Sequence, residues 1–293
     1  MSFSLLKGDR AFSSEVGAGS RKEDAAKSRV KEKPQRSSVP SAPVRAMAWL
    51  AYAFLLLPSL IVLPMSFGDK DELIFPPRSF SLYLYRQYFF ESNWMAATFE
   101  SLQVAIATAI LSLILGVGAA YGLSRHTFLG KKAVTVFLLS PIFVPTIVVA
   151  LALYLYLGIA RITGTTIGLI ICHTVVTVPF VIVTALAGLR HVDRNLETAA
   201  TVMGAGRITV LRKVTLPLLR PTIVAAGLFA FLISFDEVVI SYFVSSVRTQ
   251  TLPVKMYSTI HWEISPVLAA ISTLLTVLSL AICLLVASMQ RER

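Results

Sequence analysis

Long stretches without a single charged residue recur along this chain, at Ala46–Gly68, Ser101–Leu123, Ala133–Ala160, Ile162–Leu189 and Ile264–Gln290. A sixth, Pro221–Val247, is interrupted only by Asp236 and Glu237. Crossing the hydrocarbon core takes about 20 consecutive, mostly apolar residues as a helix, because every backbone amide must find its partner inside the segment. The pattern predicts an all-α membrane protein with six transmembrane helices. Composition agrees: only 15% of the 293 residues are charged, against about a quarter in soluble domains.

The formal net charge of +11 raises nucleic acid as a partner, but the placement of the charges points to membrane lipid instead. Basic residues concentrate beside span ends, the arrangement that keeps basic loops in the cytoplasm. With both termini cytoplasmic, the outer segments hold only Lys70, Arg78, Arg86, Arg161, Arg248 and Lys255. The connection after the fourth span alone carries Arg190, Arg194, Arg207, Arg212, Lys213 and Arg220. This orientation puts that connection inside.

Residues 1–45 are rich in Ser, Lys, Arg and Glu and poor in large apolar side chains. They lack the short apolar core of a signal peptide and read as a disordered, basic cytoplasmic tail. Residues 46–293 are expected to form one six-helix transmembrane domain. Cys172 and Cys283 lie inside apolar runs, where cysteine acts as a small hydrophobe. In the first outer connection, the aromatic SFSLYLYRQYFF predicts a short interfacial helix or a loop packed across the span ends. Gly118 and Gly122 have the spacing that lets two helices approach closely. Pro141, Pro145 and Pro179 should kink or open the third and fourth spans.

The most ordered polar segment is LETAATVMGAGRITVLRKVTLPLLRP, from Leu196 to Pro221. Asp193 is placed to cap a helix on which Leu196, Ala199, Ala200 and Met203 fall at i, i+3, i+4 and i+7. Gly204 suits the left-handed residue that closes such a helix. A second amphipathic turn follows, with Ile208, Leu211 and Val214 opposite Arg207, Arg212 and Lys213. Pro217 and Pro221 then redirect the chain into the fifth span. A shallow, alanine-rich stripe fits a groove on a partner protein, or else lies flat on the chain's own bundle or on lipid.

This segment resembles the signature loop of permease subunits of bacterial binding-protein-dependent ABC importers. That pattern runs Glu-Ala-Ala, three residues, Gly, then about a dozen residues to Leu-Pro. Here Ala199, Ala200, Gly204 and Leu216–Pro217 match, whereas Thr198 stands where the pattern has glutamate and Glu197 precedes it. A side chain one residue earlier points about 100° away on a helix, so Glu197 is not assumed to replace it. The resemblance implies a type I ABC importer-like fold in the bacterial inner membrane, with a cytoplasmic coupling helix between helices 4 and 5. It further implies that Glu197, Thr198, Ala199, Ala200, Met203, Gly204 and Ala205 form the surface gripped by an ATPase. The implied partners are a cytoplasmic ATPase dimer, a second homologous permease subunit and an extracytoplasmic substrate-binding protein. The chain itself lacks a Walker pattern, since Gly130-Lys131 has neither the upstream Gly nor the following Ser/Thr. No enzymatic activity, cofactor or metal of its own is expected.

Asp236 and Glu237 lie about 22 Å along a continuous helix from Pro221 at 1.5 Å per residue, in the outer half of the membrane. A carboxylate there costs a few kcal/mol unless it faces a polar cavity or has a partner. Ser234 and Tyr242 add polarity nearby, so these four residues either line a pathway favouring a cationic solute or tie helices together. FLISFDEVVISYFVSS followed by TLPVKMYSTI resembles the spermidine/putrescine branch of these permeases. His173, alone in the middle of the fourth span, is expected to be a hydrogen-bonded bundle residue. The rival reading, a secondary transporter, would use Asp236, Glu237 and His173 as an ion relay; such transporters often carry inverted repeats, which are not visible here. An intramembrane enzyme would need a nucleophile–base or metal-ligand set, and no such spacing is present.

Overall fold

The computed structural model describes residues 42–69, 74–91, 93–262 and 265–291. The tail expected over residues 1–45 therefore lies almost wholly outside the described residues, as do Lys70, Asp71 and Glu72 of the first outer connection. The chain divides into two units, Met1–Leu57 and Pro58–Arg293. The described part of the first is the opening of helix α1 (Ala42–Met65), whose side chains are exposed, Trp49 and Phe54 among them.

In the second unit every described element is helical. A short helix, α2 (Tyr83–Arg86), runs into a π turn at Gln87–Glu91. It is followed by α3 (Trp94–Arg125), α4 (Lys131–Leu139), α5 (Thr146–Ile159) and α6 (Thr166–His191). Then come α7 (Arg194–Val202), α8 (Arg207–Val210), α9 (Leu216–Phe235), α10 (Val239–Val244), α11 (Leu252–Trp262) and α12 (Val267–Arg291).

Four helical segments are long and apolar enough to cross a membrane: α1, α3, α6 and the continuous path Arg207–Phe235. The expected third span is not one helix. It divides into Lys131–Ile142 and α5, which meet at a bend of 101°. The prolines explain the break: Pro141 opens a 3-10 turn at Ser140–Ile142, and Pro145 stands in extended geometry immediately before α5. Proline cannot donate the i→i−4 bond and clashes with the preceding turn, so a pair of them four residues apart divides a helix. Pro179, by contrast, sits inside an unbroken α6. The last helix is apolar over Val267–Leu280, as far as side chains are described. Among the described residues the segments that meet that length and composition thus number four, or five with the bent pair taken as one span, and the break falls at the prolines expected to open the third span.

Packing relies on small residues. The centre of the bundle is a seam of α3, α6 and α9, where Ala120, Ala185, Ala226 and Ala230 are buried with Leu189 and Leu219. A Cβ added at Gly116 would lie 2.6 Å from Val181, and one at Gly188 would lie 2.5 Å from Thr222. These glycines set the α3–α6 and α6–α9 separations. Gly118 and Gly122, singled out by their spacing, have nothing within 4 Å of a would-be Cβ. They lie off the contact face, because spacing shows that two residues share a face without showing which face is packed. The aromatic segment after the first span is indeed helical, and Leu84 and Tyr88 pack it against Val267 and Ile271 of α12.

Candidate functional site

Two polar clusters that hold charged groups of the sequence analysis stand out among the described residues. The first is the α6–α9 connection. Asp193 caps α7 as expected, its carboxylate accepting the Asn195 N–H at 2.9 Å. Gly204 closes the helix at φ +87°, where the Ala205 N–H reaches Ala200 O and the Gly204 N–H reaches Thr201 O. These are the paired bonds of a Schellman motif, which needs a left-handed residue at that position and so favours glycine.

After Gly206 the chain does not turn a corner at Pro221. Residues Arg207–Phe235 run as one helical path, with a π turn at Leu211–Thr215 leading into α9 and Pro221 inside it. In that turn the Leu216 N–H bonds Leu211 O, five residues back. The widened register falls just before Pro217, which has no N–H to donate to the ordinary ladder. The connection is therefore a stiff lead into α9.

The faces of α7 also differ from the expected stripe. Ala200 is buried, whereas Ala199, Val202 and Met203 are exposed, as is Ile208 beyond the turn. Glu197 points inward with Ala200. Its carboxylate accepts from Arg125 at the end of α3, with Nε 2.9 Å from one oxygen and Nη2 3.0 Å from the other, and from Thr215 Oγ1 at 2.9 Å. Both charged side chains are nearly buried, 9% exposed for Arg125 and 12% for Glu197. Thr198 is exposed and its hydroxyl donates back to Arg194 O, while Ala205 lies half-buried beyond the Gly204 turn. Arg125 also donates to Val192 O, and Arg194 to Ser124 O at 2.8 Å. A cavity of about 220 Å³ opens beside this cluster, lined by Tyr121, Arg125, Arg194, Glu197, Thr198, Thr201, Arg207 and Val210. Arg125 and Thr215 had no sequence signal: they lie 72 and 18 residues from the carboxylate they hold.

The second site is the end of α9. The fifth span was expected to continue through Asp236 and Glu237, but α9 ends at Phe235 and α10 begins at Val239. The two carboxylates therefore stand in a break and not on a continuous helix. Glu237 Oε1 accepts the Ile240 N–H at 3.0 Å, covering an open amide of the first turn of α10. Asp236 is exposed. Tyr242 is half exposed, its ring edge-on to Tyr257, which stacks on His261.

Behind the break, His173 of α6 is buried. Its Nδ1 lies 2.8 Å from Ser234 Oγ of α9, and its Nε2 lies 2.8 Å from Ser241 Oγ of α10. One imidazole thus joins the two sides of the break, a hydrogen-bonded bundle residue as the sequence suggested. Ser234, placed on the expected pathway, is itself buried and held by this bond.

The family described as "Binding-protein-dependent transport system inner membrane component" matches residues 112–292, which contain both sites. This chain belongs to that family. As a family member it is a multi-pass component of a transport system in the inner membrane. It is 34% identical over 243 residues to a Haemophilus influenzae protein named spermidine/putrescine transport system permease protein PotC, covering 82% of this chain and 93% of that one. The Escherichia coli protein of the same name is 32% identical, with coverages of 78% and 86%. Escherichia coli PotI, a putrescine transport system permease, is 29% identical, with coverages of 77% and 83%. The fold matches a bacterial ABC transporter chain involved in alginate import with a TM-score of 0.66 at 13% identity, over 89% of this chain and 99% of that one.

Proposed function

We propose that this permease is the membrane subunit of an ATP-driven importer for polyamines or related cationic amines. The observation that carries the reading is the 34% identity, over most of both chains, to a protein named as a spermidine/putrescine permease. The chain works with a second permease subunit, two copies of a cytoplasmic ATPase and an extracytoplasmic binding protein, and both of its termini are cytoplasmic. The ATPase seats on the exposed face of α7 made by Thr198, Ala199, Val202 and Met203. Closure of the ATPase dimer moves α7 and, through the stiff lead into α9, the spans. Asp236, exposed at the break, attracts the ammonium groups of the cargo, while Glu237 holds α10. Tyr242 presents an aromatic face to the same cargo, a surface that attracts alkylammonium groups.

A secondary transporter has no support among the relatives, which are components of binding-protein-dependent systems. Its proposed relay residue His173 is occupied on both nitrogens.

The test is uptake of radiolabelled putrescine and spermidine by vesicles holding the whole complex, with and without ATP. ATP-dependent uptake is expected, and Asp236→Asn should weaken it about tenfold, the equivalent of roughly 1.4 kcal/mol of lost attraction. Uptake driven by a proton gradient in the absence of ATP would overturn the proposal.

A further inference from the structure

The helix α7 is covalently joined to α6 through Val192–Asp193 and to α9 through the Gly204 turn and the π turn. Helix α3 has no such link to it, since Arg125 and Glu197 are 72 residues apart. Yet α3 packs along both α6 and α9 in the central seam, with Gly116 against Val181 and Leu113 against Gly227. Whatever moves α7 must either carry the end of α3 along or shear that seam.

The contacts at the end of α3 decide between these. Ser124 and Arg125 are its last residues, and both are held by the α6–α7 region. Ser124 O accepts from Arg194 at 2.8 Å. The Arg125 guanidinium donates to Val192 O at 3.3 Å and, through Nε and Nη2, to Glu197. Glu197 in turn accepts from Thr215 in the π turn. One carboxylate therefore fastens three segments: the end of α3, α7 and the lead into α9. A two-point guanidinium contact fixes direction as well as distance, which a single bond or an apolar contact does not. Both groups are nearly withdrawn from water, so the pair is little screened and costly to separate.

We infer that Arg125 is a positioning residue of the transport cycle: through Glu197 it makes the end of α3 move with α7 as one rigid body. This rests on the reading of α7 as the helix gripped by the ATPase. It assigns Glu197 an inward role, transmission within the chain, and leaves the outward contact to Thr198, Ala199, Val202 and Met203.

The experiment uses the complete complex in lipid vesicles. Spin labels are placed at Asn195→Cys on α7 and Leu129→Cys just beyond α3, two exposed positions. The distance between them is read with and without ATP, alongside putrescine and spermidine taken up per ATP hydrolysed. With the pair intact, the distance should be the same in both nucleotide states. In Glu197→Gln and in Arg125→Lys, which keep a polar group but lose the two-point contact, it should become nucleotide-dependent. Uptake per ATP should then fall about tenfold, equivalent to roughly 1.4 kcal/mol. A nucleotide-dependent distance in the parent, or an unchanged distance and uptake ratio in both variants, overturns the inference. Loss of the ATPase from both purified variants assigns the pair to assembly and overturns it as well. Crosslinking from Met203→Cys separates the two layers. No crosslink to the ATPase sinks the docking reading itself, whereas a crosslink with an unchanged uptake ratio sinks only the role of Arg125.

Discussion

At the head of α7 a carboxylate is met by a guanidinium; behind the α9–α10 break an imidazole sits between two hydroxyls. Both sites tie together segments far apart in sequence: the first joins two helices to one irregular turn, and the second joins one helix to both sides of another. They use different chemistry because they sit at different depths. Glu197 and Arg125 keep 12% and 9% of their side-chain surface and line the cavity beside α7. His173, Ser234 and Ser241 keep between 0% and 3%, and there the ties are hydroxyl–imidazole bonds. An ion taken fully out of water loses several kcal/mol of hydration, which a partner recovers only with near-ideal geometry. Neutral hydrogen bonds avoid that cost and still fix direction. The lesson is that this bundle places its charged tie at the edge of the apolar zone and a neutral one within it.

The sharpest way to break the comparison is to turn the charged tie into a repulsion. Arg125→Glu sets two carboxylates face to face, nearly buried, and should cost about 3–5 kcal/mol. Thermal unfolding of the purified complex should fall by many degrees, and a shift of a degree or less would show that the pair carries little. Next comes the seam on which both ties depend. Gly188→Ala drives a methyl into Thr222 and should cost about 1–3 kcal/mol, whereas Gly118→Ala meets open space and should stay within about 0.5 kcal/mol. Equal melting temperatures for the two would remove the close-approach argument. Last comes the most discriminating pair, Thr215→Val against Ser241→Ala, whose second member carries a small expected effect. The first removes a donor to a carboxylate and should cost about 1.5–3 kcal/mol. The second removes a neutral bond between spans, for which about 0.6 kcal/mol is typical. Reversal of that order would mean that depth, not charge, sets the strength of these ties.

Much of the α7 region could be read from the residues. Asp193 and Gly204 act through local rules, a side chain reaching two residues along and a backbone that tolerates positive φ. The orientation of α7 could not. Leu196, Ala199, Ala200 and Met203 share the spacing of one stripe, but burial divides them, because the inward direction is set by where Arg125 and Thr215 wait. At the other site, Asp236 and Glu237 drew attention as carboxylates in an apolar run. That Asp236 is exposed while Glu237 accepts the Ile240 N–H followed only from the end of α9 at Phe235.

The sequence by itself determined that this is a helical membrane protein. Hydropathy and the need to pair every backbone amide act along the chain, within single segments. It also carried the pattern that marks the family. Only the tertiary structure decided which glycines touch, where the third and fifth spans break, and which side chains meet across 61 to 72 residues at His173 and Arg125. Such pairings depend on the rotation of each helix about its own axis, and that rotation is fixed by the packing of all its neighbours together.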